Sequence, residues 1–360
     1  PLWPSPNQLT QGWRSHSIAM GVFPLQLRGI VIHRVEEGTL LLHPGEFFKA
    51  EARIAQERTR GSGPALGTPA GHRETQECRE VAATVEAVEW LRPHYMDDQG
   101  NLILRVQMFV IETPSGKRVA VDTCIGDGKT LGEDLPYEHR MDGSFMGRLH
   151  EAGCPPESID VVLCTHLHFD HVGRNTVKVD GAWVPTFPKA RYLFARREWE
   201  YWQGERAAGR ESFQPLPAIY EESLRPVMDA GLVELVDAPC VVVEDMGARI
   251  SLMPTPGHTP GHVSINVESQ GQTAIITGDC IHNPAQIAHT QLSTFVDCCS
   301  PEAWDTREWL LKDATERRTL IVGTHFPTPS AGYVQKDATG GRRYRFLPLT
   351  CQPCQEPGKE

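Results

Sequence analysis

The chain has 360 residues, a length that suits one large domain or two ordinary ones; 40% are hydrophobic and 22% charged, as in an average soluble globular protein. Thirty-five Lys and Arg stand against 46 Asp and Glu, a net charge of −11 with no long basic block, which argues against nucleic-acid binding. No run reaches the eighteen or so apolar residues of a membrane helix, so membrane insertion is not expected.

Residues 1–24 hold four prolines and no sustained period, and they read as a loosely packed N-terminal extension. No basic region followed by an apolar run opens the sequence, so the expected location is cytoplasmic. Residues 51–80 are charged and rich in Gly and Thr, the composition of an exposed insertion. Regular structure becomes clear at 102–112, a strand that turns through Pro114-Ser-Gly into 118–122 as a hairpin. A helix is expected over 144–151, stopped by Gly153 and Pro155. Residues 159–164 (IDVVLC) form a short branched run, as in a strand covered on both faces. Strand 191–194 and helices 196–205 and 218–230 follow, then strands 250–253, 263–267 and 273–277. A helix over 301–317, with Trp304, Trp309, Leu310 and Leu311 near helical spacing, leads to strand 319–322. Strands and helices interleave, so the class is α/β. One main body over 25–350 would end in a tail at 351–360, where Cys351 and Cys354 form a lone CxxC. The ten scattered cysteines fit reduced thiols better than a disulfide framework.

The chemistry lies at strand ends. Strand 159–164 runs into Thr165-His166-Leu167-His168-Phe169-Asp170-His171, with four metal-type donors within six residues. His166 and His168 are two apart, so an extended backbone projects both imidazoles to one side. Asp170 and His171 fall where the chain must turn. Three later strands end alike: in Thr255-Pro-Gly-His258-Thr-Pro-Gly-His262, in Gly278-Asp279, and in Gly323-Thr-His325. Five histidines and two aspartates on strand-end turns can ligate two divalent metals with one carboxylate between them. Nitrogen and oxygen donors without thiolate suit zinc first, with iron, manganese or cobalt as substitutes.

These motifs resemble those of the metallo-β-lactamase superfamily over about 102–325. That resemblance implies an αβ/βα four-layer sandwich and a metal-dependent hydrolase. Carried over by position, His166, His168 and His258 would hold one metal; Asp170, His171 and His325 would hold a second; Asp279 would bridge them. His262 and Asp122 match supporting positions behind the ligands. True zinc β-lactamases of the commonest type put cysteine where this chain has Asp279, and Cys280 is one residue off. Nucleic-acid-processing members insert a domain before the last histidine, glyoxalase II-like members carry a longer C-terminal domain, and flavodiiron proteins replace the second histidine.

What remains resembles the acyl-homoserine lactonases and methyl-parathion-hydrolase-like enzymes. In the well-known lactonases a tyrosine lies three residues beyond the bridging aspartate; here the residue is His282. A mono-iron persulfide-type dioxygenase is the rival from another class, and metal counting separates it from a hydrolase. The expected substrate is a small neutral lactone or ester, with an aryl ester or phosphotriester as the alternative. A homodimer is compatible with this reading. Asp170 and His282 are the candidates for proton handling, and Phe169, Trp202 and Phe295 for contact with substrate. Of the other aromatics near the motifs, Trp199, Tyr201, Phe213, Tyr220 and Trp304, most are expected in the core.

Overall fold

A computed structural model describes residues 23–49, 75–131, 143–210, 214–337 and 344–349. The tail at 351–360 with its two cysteines, Phe213, nearly all of the expected extension and residues 51–74 lie outside the described residues. Two seven-stranded sheets form the frame. The first takes its strands in chain order: Leu25–Leu27, Ile30–Leu42, Leu102–Glu112, Arg118–Val121, Val161–Leu163, Arg191–Ala195 and Val233–Val236. The second does the same with Cys240–Asp245, Ala248–Pro254, Val263–Ser269, Gln272–Ile276, Leu320–Val322, Ala331–Lys336 and Tyr344–Pro348.

Each sheet changes from antiparallel to parallel pairing part-way across. Arg118–Val121, Val161–Leu163 and Arg191–Ala195 run parallel, as do Gln272–Ile276 and Leu320–Val322. Both faces of these central strands are buried, which is why they read as unbroken apolar runs. Val161 and Leu163 point between the sheets, where they share a core with Ile250, Ile265, Ile276 and Val322. Val162 points outward with Ala120, toward Phe145 and Leu149 of helix Ser144–Glu151. Across the molecule Ile275 and Ile321 belong with Leu310, Leu311 and Ala314 of helix Ser300–Arg317. The result is helix, sheet, sheet, helix, the expected four-layer sandwich.

Several expectations need correcting. The exposed insertion ends before residue 80, because Thr75 caps helix Gln76–Glu86, whose Cys78, Val81, Ala82 and Val85 are buried at helical spacing. The 13-residue strand Ile30–Leu42 was not legible, since a register shift between Glu36 and Gly38 breaks its alternation. Residues 173–250 hold more than the expected strand and two helices. They also supply a hairpin, Thr176–Val179 with Ala182–Pro185, and outer strands of both sheets. In the last long helix Trp309 faces solvent at 48% exposed, while Arg307 is fully buried with Leu310 and Leu311.

Loop residue Lys129 is buried, with its Nζ donating to Thr176 Oγ1 (2.6 Å) and the Glu222 carbonyl (2.9 Å). Burial pulls its pKa from 10.5 down to about 7. Between those values the unfolded chain holds a proton that the folded chain has released, so stability rises with pH across that window and is lowest below it. Lys129→Met lacks this slope. In paired thermal melts from about pH 6 to about pH 10, the wild-type Tm should gain on the variant's by several degrees; parallel curves would show that the lysine stays charged in its pocket.

Candidate metal centre

Every donor sits just beyond the end of a central strand, at one edge of the sandwich, where such sheets usually carry their sites. After Val161–Leu163 the chain bends at Thr165 and His166; His168, with an extended backbone, begins the short helix Phe169–Val172, which brings His171 back against His166 (ring centroids 4.0 Å). Asp122, immediately after Arg118–Val121, adopts a left-handed backbone (φ 55°), a strained conformation for a non-glycine residue. Its carboxylate explains the strain. It accepts the Thr165 backbone N–H at 2.8 Å and lies 2.9 Å from His171 Nδ1. Gly278 is required by packing as well as by its φ of 53°, for a Cβ there would lie 2.5 Å from His262 Nε2.

Seven side chains form two donor groups. His166, His168, His258 and Asp279 make one, and Asp170, His171 and His325 the other; within each, one ligating atom per residue lies within 4.8 Å of the rest. His258 Nε2 is 3.2 Å from His166 Nε2 and 3.0 Å from His168 Nδ1. Asp279 faces both ways. Its Oδ2 is 3.4 Å from His258 Nε2 and 3.8 Å from His166 Nε2, while its Oδ1 is 3.3 Å from His171 Nε2 and 3.0 Å from His325 Nε2. Asp170 closes the second group at 3.6 Å from His171 and 3.7 Å from His325. A tetrahedral ion with metal–nitrogen distances of about 2.0–2.1 Å has donor–donor edges of about 3.4 Å. The observed spacings of 3.0–3.8 Å bracket that edge.

The electrostatics agree with a centre built for positive charge. Burial, followed by neighbouring imidazoles, pushes His166 and His168 well below the ordinary histidine range, which leaves them neutral donors. Burial also opposes charge on His171 and His325, but Asp279 and Asp170 outweigh it and hold both above the ordinary range. Asp279 is held well below the usual carboxylate range: His171, His325 and His282 together overcome its burial.

Further contacts fix the rings. His258 Nδ1 lies 2.8 Å from Asp297, and His325 Nδ1 donates to the Arg105 carbonyl at 2.7 Å. His262 stays outside both groups. Its Nε2 accepts the Asp279 backbone N–H at 2.9 Å, so it positions that loop, and burial lowers its pKa to about 3. His282 Nε2 is 3.0 Å from Asp279 Oδ2, and the ring stacks nearly parallel to His325. The Cys280 thiol belongs to the apolar core rather than to either group, and burial pushes its pKa up to about 12.

A cavity opens over Asp170, Asp279, His282 and His325, walled by Leu40, Leu42, Phe47, Leu104, Ile125, Val296 and Phe169. Phe169, proposed from the sequence as a substrate contact, is one of these lining residues. Trp202 and Phe295 do not line the cavity: Trp202 stands edge-on behind His168 (ring centroids 5.4 Å), and Phe295 lies behind Phe47. Trp199 stacks on Phe194 and lies tilted against Tyr220 instead of lining the cavity. Sequence reasoning missed Asp297, which lies in an unremarkable Val-Asp-Cys-Cys stretch. It also missed the wall formed by Leu40, Leu42 and Phe47, which only the pairing of the long N-terminal strand brings here.

Comparison with known proteins agrees with this fold. The chain is 27% identical over 182 residues to an N-acyl homoserine lactonase of Bacillus cereus, covering 48% of this chain and 62% of the relative. It is 25% identical over 188 residues to one from Bacillus thuringiensis, covering 49% and 64%. The chain thus spans less than two thirds of the length of these curated relatives. Among solved structures, the hydrolase AbOPH of the β-lactamase superfamily superposes with a TM-score of 0.66 at 20% identity, over 94% of this chain and all of that one. AidC, a dizinc quorum-quenching lactonase, gives 0.64 at 16% identity, over 91% and 97%. The sequence profile of the metallo-β-lactamase superfamily matches residues 103–325, and the chain belongs to that superfamily.

Proposed function

We propose that this chain is a dinuclear-metal hydrolase that opens a lactone or carboxylic ester. The observation that carries the reading is Asp279, whose two oxygens face separate histidine groups on opposite sides. His166, His168 and His258 would hold one ion, Asp170, His171 and His325 the other, and Asp279 both, with zinc the first choice for such donors. When bound, two adjacent ions supply hydroxide at neutral pH and polarise a carbonyl oxygen.

The protein's own groups do the rest. The apolar wall suits a neutral tail and would keep water from the reacting end, and among the described residues no lysine or arginine lines the cavity to hold an anion. Asp170 and His282 line the cavity, and in this reading they would take the proton released by the attacking water and pass it to the leaving oxygen. The likeness to N-acyl homoserine lactonases supports a lactone. One observation favours a second reading: His282 stands in the cavity where lactonases carry tyrosine, a substitution that suits a phosphotriester or aryl ester.

Elemental analysis of active protein should find two metal ions per chain, and His166→Ala or His258→Ala should abolish hydrolysis of every ester in a panel of lactones, aryl esters and phosphotriesters. One ion or none in active enzyme would overturn the dinuclear assignment. A single iron with O₂ uptake would point to the dioxygenase instead.

A further inference from the structure

We infer that Glu198 is the positioning residue for the His166, His168 and His258 half of the centre, an inference that rests on the dinuclear reading above. Glu198 lies in the first turn of helix Arg196–Ala207 and is buried, 1% exposed. Its Oε1 accepts the backbone N–H of Leu167 at 3.0 Å, the peptide between His166 and His168. The same oxygen accepts the indole N–H of Trp202 at 2.6 Å, and that ring stands against His168. Its Oε2 accepts from Thr259 Oγ1 at 2.7 Å and from the Gly261 N–H at 3.1 Å, in the loop that begins with His258. One carboxylate thereby ties together two loops and the ring that between them locate three nitrogen donors.

The sequence is fitted to this contact. At Gly261 a Cβ would lie 2.1 Å from the Glu198 backbone nitrogen, so glycine lets the loop rest directly on the first turn of the helix. A buried carboxylate is costly unless its acceptor positions are filled. Four donors, none of them cationic, fill those of Glu198. Glutamine cannot do the same, because its amide NH₂ would confront a donor pair on one side or the other. The second donor group has a different anchor. Gln107 Nε2 donates to the carbonyls of Gly323, Thr324 and Phe326 and so holds the loop of His325.

The test uses the full chain stripped of metal and titrated with Zn²⁺ against a chromophoric chelator. Wild type should bind in two steps. Glu198→Gln should weaken one step by about 10- to 100-fold, the range seen when partners of metal ligands are removed. His258→Ala should lose that same step, and adding Glu198→Gln to it should change little further. Gln107→Leu should weaken the other step. If Glu198→Gln does not fold, Trp202→Phe removes one donor but keeps a ring on His168, and the same step should weaken by several-fold. Two wild-type steps left untouched in both variants, or both steps weakened equally with a lower Tm, would overturn the inference. A single wild-type step would instead overturn the dinuclear reading itself.

Discussion

Replacing Asp279 by alanine should leave a folded protein that has lost at least one metal ion and about a thousandfold or more in kcat/KM. The fold should survive because the backbone N–H of residue 279, which donates to His262, is untouched. The chemistry should not. Asp279 Oδ1 and Oδ2 lie 3.0–3.4 Å from His325, His171 and His258, and no other carboxylate touches both groups among the described residues. A metal pair contributes several kcal/mol to transition-state charge stabilisation, and about 4 kcal/mol corresponds to three decades in rate. The control is one residue away. Cys280 sits in the core beneath the loop, so Cys280→Ser should keep its full metal content and near-normal kcat. Its cost is a hydroxyl in an apolar site, about 1–3 kcal/mol of stability. Normal metal content in a dead Cys280→Ser enzyme would mean that the thiol acts in place of the carboxylate.

The donors were legible in the sequence because their chemistry is written locally. A His-x-His-x-Asp-His run after an apolar strand is a short-range pattern, and each of the other three donors follows its own strand through a glycine turn. The central strands were legible for a related reason, since burial on both faces leaves no polar residue to interrupt them. What stayed hidden depends on long-range pairing. Leu40 and Phe47 become a cavity wall only once Ile30–Leu42 pairs with Leu102–Glu112, and a bulge at Glu36–Gly38 disguises that strand. Asp297 and Glu198 carry no signature of their own. A buried carboxylate reads like a surface one until the donors around it, drawn from segments 39 and 31 to 63 residues away, are in place. Trp202 misled for the converse reason. Its indole was read as a substrate contact, whereas its N–H is committed to Glu198 and its ring to His168.

The substrate should separate on His282. Measured side by side, kcat/KM for a long-chain homoserine lactone should exceed that for methyl parathion. The apolar wall of Leu40, Leu42, Phe47 and Phe169 suits an acyl tail, and attack on a carbonyl asks little of the protein beyond the metal pair. His282 tests the alternative directly. Its Nε2 lies 3.0 Å from Asp279 Oδ2 and its ring lines the cavity, which puts the imidazole within reach of an oxygen leaving a carbonyl or a phosphoryl centre. His282→Phe should retain the metal ions, because the imidazole belongs to neither donor group. It should lower kcat for whichever ester uses the histidine by about 10²-fold or more, the scale of one general acid–base contribution. His282→Tyr, which restores the residue typical of lactonases, should recover the lactone reaction and leave a phosphotriester reaction impaired. A wild-type preference for the phosphotriester by more than about tenfold, roughly 1.4 kcal/mol of transition-state binding, would reverse the choice of substrate. The dinuclear proposal would stand unchanged, since it rests on the spacing of the seven donors and not on the ester.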